Sequence, residues 1–166
     1  MLLYILLVTV KHFALNDQET ARMGIHVWSN EQAIREIYCK PFEIAVKEGG
    51  AKGIMSAFNR LGKTWFGGTP ELLVDLLRNE WGFDGMVITD AYTNLTGYGY
   101  MDPVLAVYAR NNELLCMLWS VRKITLSPSM KPAYKNDPIG FGTALRDCTK
   151  GILKNKMLTK AFLETV

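Results

Sequence analysis

The stretch GFDGMVITDAY, residues Gly82 to Tyr92, decides the fold. Met86-Val87-Ile88-Thr89 is an apolar run with Gly85 before it and the carboxylate of Asp90 after it. A short continuous run of this kind, bounded by turn residues, reads as a strand buried on both faces in a parallel sheet. On these residues alone Asp90 has two readings. An aspartate after a strand caps the next helix or opens a turn. At the C-terminal end of a barrel strand it is instead a reacting group.

Upstream, TPELLVDLLRNEWG reads as a helix. Thr69 is its expected cap, Pro70 suits the first helical position, and Leu72, Leu73, Leu76 and Leu77 form one apolar face. Gly82 ends it. Before it, GIMSAF (Gly53 to Phe58) is a second strand, running into the polar loop NRLGKTWFGG. A further helix opens at SNEQ, where Ser29 as cap and Gln32 make a capping-box pattern. Ala33, Ile34, Ile37 and Tyr38 share a side of it. Pro41 kinks it or starts a second segment, and Gly49-Gly50 stops it. A first strand is expected over about Ile5 to Val10, ending at Lys11-His12. Downstream come a short helix around Asp102 to Ala109, a fourth strand at Leu114 to Leu118, and a Ser/Pro/Lys-rich connection. Asp137 and Pro138 then open a last helix carrying Leu145, Cys148 and Ile152. Apolar strands each followed by a helix predict an α/β fold with a parallel sheet. No G-x-G-x-x-G or G-x-x-x-x-G-K-[ST] loop follows any strand, so nucleotide-binding forms lose ground to a barrel. Doubly wound and barrel folds both fit this pattern, and about four βα units are half of the eight in a (β/α)8 (TIM) barrel. Its strand ends would carry Lys11-His12, Phe58-Asn59-Arg60, Asp90 and the Asn111-Asn112-Glu113 neighbourhood.

Composition narrows the function classes. At 166 residues, 49% hydrophobic and 21% charged, the chain is an ordinary globular domain. Its net charge of +3 is mild and the basic residues are scattered, which gives no case for nucleic acid. With only His12 and His26, a multi-histidine metal site is not expected. Cys39, Cys116 and Cys148 are odd in number and widely spaced, so free, mostly buried thiols are expected. The apolar start MLLYILLVTV is too short to span a bilayer and lacks the basic lead and cleavage site of a signal peptide. It reads as a buried strand, and a cytoplasmic, non-membrane protein is the expectation.

KHFALNDQE (Lys11 to Glu19), SNEQAIREIYCKPFEIAVKEGGAKGIMSAFNRLG (Ser29 to Gly62) and LLRNEWGFDGMVITD (Leu76 to Asp90) resemble glycoside hydrolase family 3, and most closely its bacterial β-glucosidase-like branch. The resemblance implies the C-terminal half of that family's barrel, a partial (β/α)8 (TIM) barrel forming a single domain over residues 1–166, and a retaining glycosidase acting on terminal β-D-glucosidic bonds. Retaining enzymes hold two carboxyl groups roughly 5–5.5 Å apart, one as nucleophile and one as acid/base. On the motif V-x-[ST]-D the nucleophile falls on Asp90. Lys11 and His12 fall on groups that bind sugar hydroxyls. A lysine cation favours an anion beside it, and a neutral imidazole both donates and accepts a hydrogen bond. Met55 and Arg60 flank the second strand's end as pocket-wall groups. Trp65, on a loop at the catalytic face, is preferred over Trp28 and Trp81 as a sugar-stacking platform, with Trp81 read as packing. No cofactor and no metal is implied.

The sequence also departs from the family. Phe58 stands where a tyrosine often does, Ala91 where an aromatic residue often follows the nucleophile, and Arg110 where a glycine is usual. The acid/base glutamate, taken by the β-glucosidase-like members from a second domain, has no counterpart here. Two expectations therefore stand side by side. One is a catalytic piece whose partners are a β-linked glucoside or oligosaccharide and a missing barrel half. The other is a non-catalytic barrel module that self-associates, for instance as a homodimer.

Overall fold

A computed structural model of the chain describes residues 7–92, 99–115 and 127–159. Its centre is a parallel sheet of β1 (Thr9–Phe13), β3 (Gly53–Ser56) and β6 (Met86–Thr89), in the order β1-β3-β6. Across it Val10, Ile54 and Val87 lie in register, as do Lys11, Met55 and Ile88. Beyond β6 the chain continues the parallel pattern. Glu113 bridges to Ile88, and Leu115 N–H donates to Thr89 Oγ1 at 2.9 Å. The fourth strand predicted at Leu114 to Leu118 starts at this place, and residues 116–118 lie outside the described residues. The same holds for residues 5 and 6 of the predicted first strand, while β1 runs past its expected end to Phe13. A second small sheet, β2 (His26–Val27), β4 (Arg60–Leu61) and β5 (Thr64–Trp65), forms from loops that the sequence left unstructured.

Between β2 and β3 the helix is broken, as Pro41 predicts. Helix α1 (Glu31–Ala33) runs into a π-helical segment, Ile34–Tyr38, and α2 (Lys40–Lys47) starts afresh with Pro41 in its first turn. The expected Ser29 cap is corrected to Asn30, whose side chain accepts from Ala33 N–H at 2.8 Å. Gln32 does not close a capping box, because its amide donates to Glu36 at 3.2 Å. Gly50, at φ +63°, ends the segment in the left-handed region.

Before β6, Glu71–Glu80 is wound as a π-helix, with Trp81 N–H reaching back to Leu76 O at 3.1 Å. Leu72, Leu73, Leu76 and Leu77 are buried, as predicted. Thr69 does not cap it through its hydroxyl, which donates to Trp65 O at 2.8 Å; only its carbonyl receives Leu72 and Leu73 N–H. Helix α3 (Pro103–Tyr108) is capped by Asp102. After it come α4 (Ser127–Asn136), in the stretch read as a connection, and α5 (Pro138–Met157), opened by Asp137.

The helices cover one face of the sheet. Val87, Ile54 and Phe13 share a core with the four leucines, Val46, Trp81 and Phe83. Burying each such side chain stabilises by about 1.5–3 kcal/mol. On the opposite face Lys11 is exposed and Met55 and Ile88 are half-buried. That asymmetry belongs to a barrel wall, with helices outside and the other face of the strands turned toward the barrel interior.

The strand starts are tied by polar groups. Arg78 donates to Gly85 O, Arg110 O and Asn112 Oδ1, and burial lowers its pKa. Asn112 Oδ1 also accepts from Val87 N–H, while Asn155 of α5 donates to Lys52 O at 2.9 Å. Cys39 and Cys148 are free and buried, and burial pushes both thiols up to about 11. Cys116 lies outside the described residues.

Candidate active site

The parallel register carries the ends of β1, β3 and β6 to one place. Ala57 N–H donates to Phe13 O, and Asp90 N–H donates to Ser56 O, so the chain leaves all three strands side by side. There Asp90 meets His12, with Oδ2 3.1 Å from His12 Nε2. The approach is close but off-line, so Oδ2, buried, has no hydrogen-bond donor among the described residues. Oδ1 accepts from Ala91 N–H at 2.7 Å, which fixes the carboxylate plane. That bond comes from the very next residue, whereas a helix cap would receive the N–H two or three residues on.

Burial lowers the His12 pKa below its ordinary 6.5, the Asp90 carboxylate opposes this, and the cations Lys11 and Arg22 push it down further. At neutral pH the ring is therefore the neutral imidazole, able to donate from one nitrogen and accept at the other. Lys11, on the adjacent exposed position of β1, is in register with Met55 and Ile88 on the sheet's uncovered face. Met55 is thus placed on the inner wall. Arg60 is not brought to Asp90: its guanidinium donates to Met23 O at 3.1 Å and lies 4.0 Å from the Tyr100 ring centre. It ties down the loop that follows β1.

The stacking role expected of Trp65 is corrected. The loop folds inward as β4 and β5, leaving Trp65 only 2% exposed with its Nε1 donating to Ala57 O at 3.0 Å. Its ring packs with Phe58, Tyr92 and Met101 and has no face for a sugar. Trp81 packs in the core, as expected. Of the three, Trp28, passed over in the sequence, is exposed, at 73%.

A charged residue beside Asp90 that sequence reasoning missed is Arg22. Its Nη1 lies 4.0 Å from Asp90 Oδ2 and 3.3 Å from Glu19, and its guanidinium sits 4.6 Å from the Phe58 ring centre. The signal was an arginine in the polar loop just after the Lys11-His12 pair. Asn59 is buried and donates to Ala14 O and Leu15 O, holding that loop in place. Among the described residues no group of three or more His, Cys, Asp or Glu side chains is placed to hold a metal ion. No described helix is long and apolar enough to cross a membrane.

At the C-terminal ends of the parallel strands an anchored carboxylate is thus flanked by a neutral imidazole and a guanidinium, groups that can accept and donate hydrogen bonds. The model of the glycosyl hydrolase family 3 N-terminal domain matches residues 5–106. The chain belongs to glycosyl hydrolase family 3. Among family 3 relatives, a β-glucosidase of Ruminococcus albus is 42% identical over 91 residues, 55% of this chain and 10% of that protein. One from Rhizobium radiobacter is 46% identical over 82 residues, 49% of this chain and 10% of its own length. β-Glucosidase 3B of Thermotoga neapolitana superposes with a TM-score of 0.80 at 32% identity, covering 94% of this chain and 21% of that one. The chain thus spans about a tenth of the curated relatives and about a fifth of that solved family 3 structure. It has the fold of part of their barrel.

Proposed function

We propose that this chain supplies the nucleophile of a retaining β-glucosidase, with Asp90 attacking the anomeric carbon of a terminal β-D-glucoside. The observation that carries the reading is the Asp90 carboxylate, pinned through Oδ1 with Oδ2 lacking a donor among the described residues, beside His12 and Arg22. A buried acceptor without a partner costs about 1–3 kcal/mol, a cost that a sugar hydroxyl in the site removes. His12, Lys11 and Arg22 hold hydroxyls, and Met55 walls the ring. In the first step a bond forms between Asp90 oxygen and C1, the glycosidic C1–O bond breaks, and the leaving oxygen takes a proton from a carboxylic acid. That acid is proposed to come from residues outside this chain. Water then gives a proton to the carboxylate which that acid has become, attacks C1 of the glycosyl ester, and releases Asp90.

The test uses a 2-deoxy-2-fluoroglucoside with an activated leaving group, which departs with little help from an acid. Intact mass should rise by one fluoroglucosyl unit, with the label on the peptide containing Asp90 and absent from Asp90→Asn. A labelled Asp90→Asn variant, or no label on the parent chain, sinks the reading.

A second reading follows from the uncovered sheet face of Lys11, Met55 and Ile88: this part of the barrel works only when a second copy or the rest of a barrel closes over it. Such an edge and face favour association.

A further inference from the structure

Phe58 lies two residues past β3 and has no hydroxyl to offer Asp90, yet its ring faces a cation of the site. The guanidinium carbon of Arg22 stands 4.6 Å from the ring centre, within cation–π range. The ring is 3% exposed and packs among Trp65, Tyr92, Met101 and Ala106. It has almost no surface of its own for a ligand, so what it does at the site it does through Arg22. Little else holds that side chain. Its Nη1 is 4.0 Å from Asp90 Oδ2, beyond hydrogen-bond distance. Its ion pair, at 3.3 Å, is with Glu19, whose side chain is 74% exposed, and a pair of that kind holds weakly.

The backbone under Arg22 is held as well. Ala21 has φ +55°, a left-handed conformation that a residue with a Cβ adopts at a cost and keeps only where its surroundings impose it. Arg60 donates to Met23 O at 3.1 Å, just past this turn, and Asn59 donates to Ala14 O and Leu15 O at the start of the loop. Three successive residues, Phe58, Asn59 and Arg60, thus hold the side chain of Arg22 and both ends of the loop that carries it.

We propose that Phe58 is a positioning residue that presets the Arg22 guanidinium for a sugar hydroxyl beside Asp90. The hydroxyl rests on the glucosidase reading; the hold on Arg22 rests on the ring contact. A double-mutant cycle in the full chain, read by NMR titration of His12, tests it. The charged groups acting on that imidazole are Asp90, Lys11, Arg22 and Glu19, and Arg22 lowers its pKa. Phe58→Leu should raise the His12 pKa, as Arg22→Met does, and should raise it no further when added to Arg22→Met. Exchanging Phe58 for pentafluorophenylalanine keeps the ring's shape and removes its negative face, so it should give the same rise even where Phe58→Leu fails to fold. Labelling by the activated 2-deoxy-2-fluoroglucoside should slow about fivefold in Phe58→Leu, with no further slowing when Phe58→Leu is added to Arg22→Met. An unmoved or lowered His12 pKa, an equal rise with and without Arg22, or an unslowed label in Phe58→Leu overturns the proposal. A labelled parent chain with no coupling between positions 58 and 22 overturns the positioning role alone. Coupling in a chain that takes no label supports the hold on Arg22 and overturns the glucosidase reading instead.

Discussion

His12 is the residue whose charge state organises the site. Because burial and two cations hold its pKa below 6.5, the unfolded chain binds this proton more readily than the folded one. Its contribution to stability is whole above about pH 6.5 and is lost as pH falls toward the folded value. The thermal midpoint should therefore drop between about pH 7 and 5, and His12→Gln should flatten that slope. An NMR titration separates the causes: Arg22→Met should raise the His12 pKa, whereas Asp90→Asn should lower it. That Lys11, His12 and Asp90 lie near strand ends was legible because they are written next to apolar strand runs. Arg22 was not, since it approaches Asp90 across a loop whose path depends on Asn59 and Arg60. Trp65 was misread for the same reason, because nothing local says that its loop turns inward.

Among the elements, the helix starts show how finely local chemistry is resolved. Ser29 and Asn30 are both good caps, and a one-residue choice between them is made by the Asn30–Ala33 bond. Asn30→Ala should cost about 1 kcal/mol in a denaturant titration, and Ser29→Ala under about 0.5. Leu73, fully buried in the π-helix, was plain from its spacing; Leu73→Ala should cost about 2–5 kcal/mol. Arg110 repays its departure from glycine poorly. It has φ +57° and ion-pairs with Asp147 at 3.0 Å. The left-handed backbone costs about 1–2 kcal/mol and a half-exposed pair returns about 0–1. Arg110→Ala should thus lower the unfolding midpoint, and Arg110→Gly should match or exceed the parent.

At the scale of the molecule, the strand pattern gave away the barrel wall, but the same apolar runs cannot say what closes it. The inner face of Lys11, Met55 and Ile88 stays partly open in this chain. Sedimentation at micromolar concentration should find species heavier than the 18.7 kDa monomer, with Met55→Lys shifting them toward monomer. A folded monomer in the parent chain would rule this out.

The bond from Asn155 to the Lys52 carbonyl spans 103 residues, and it sets a schedule for synthesis. A ribosome delivers β3 long before it delivers the side chain that clasps its entrance. Until α5 has left the exit tunnel, the nascent sheet carries its apolar outer face with one clasp unmade. Contacts of such separation form late and leave intermediates prone to aggregation. A chain arrested before Asn155 should therefore recruit holdase chaperones, and one arrested after it has cleared the tunnel should release them.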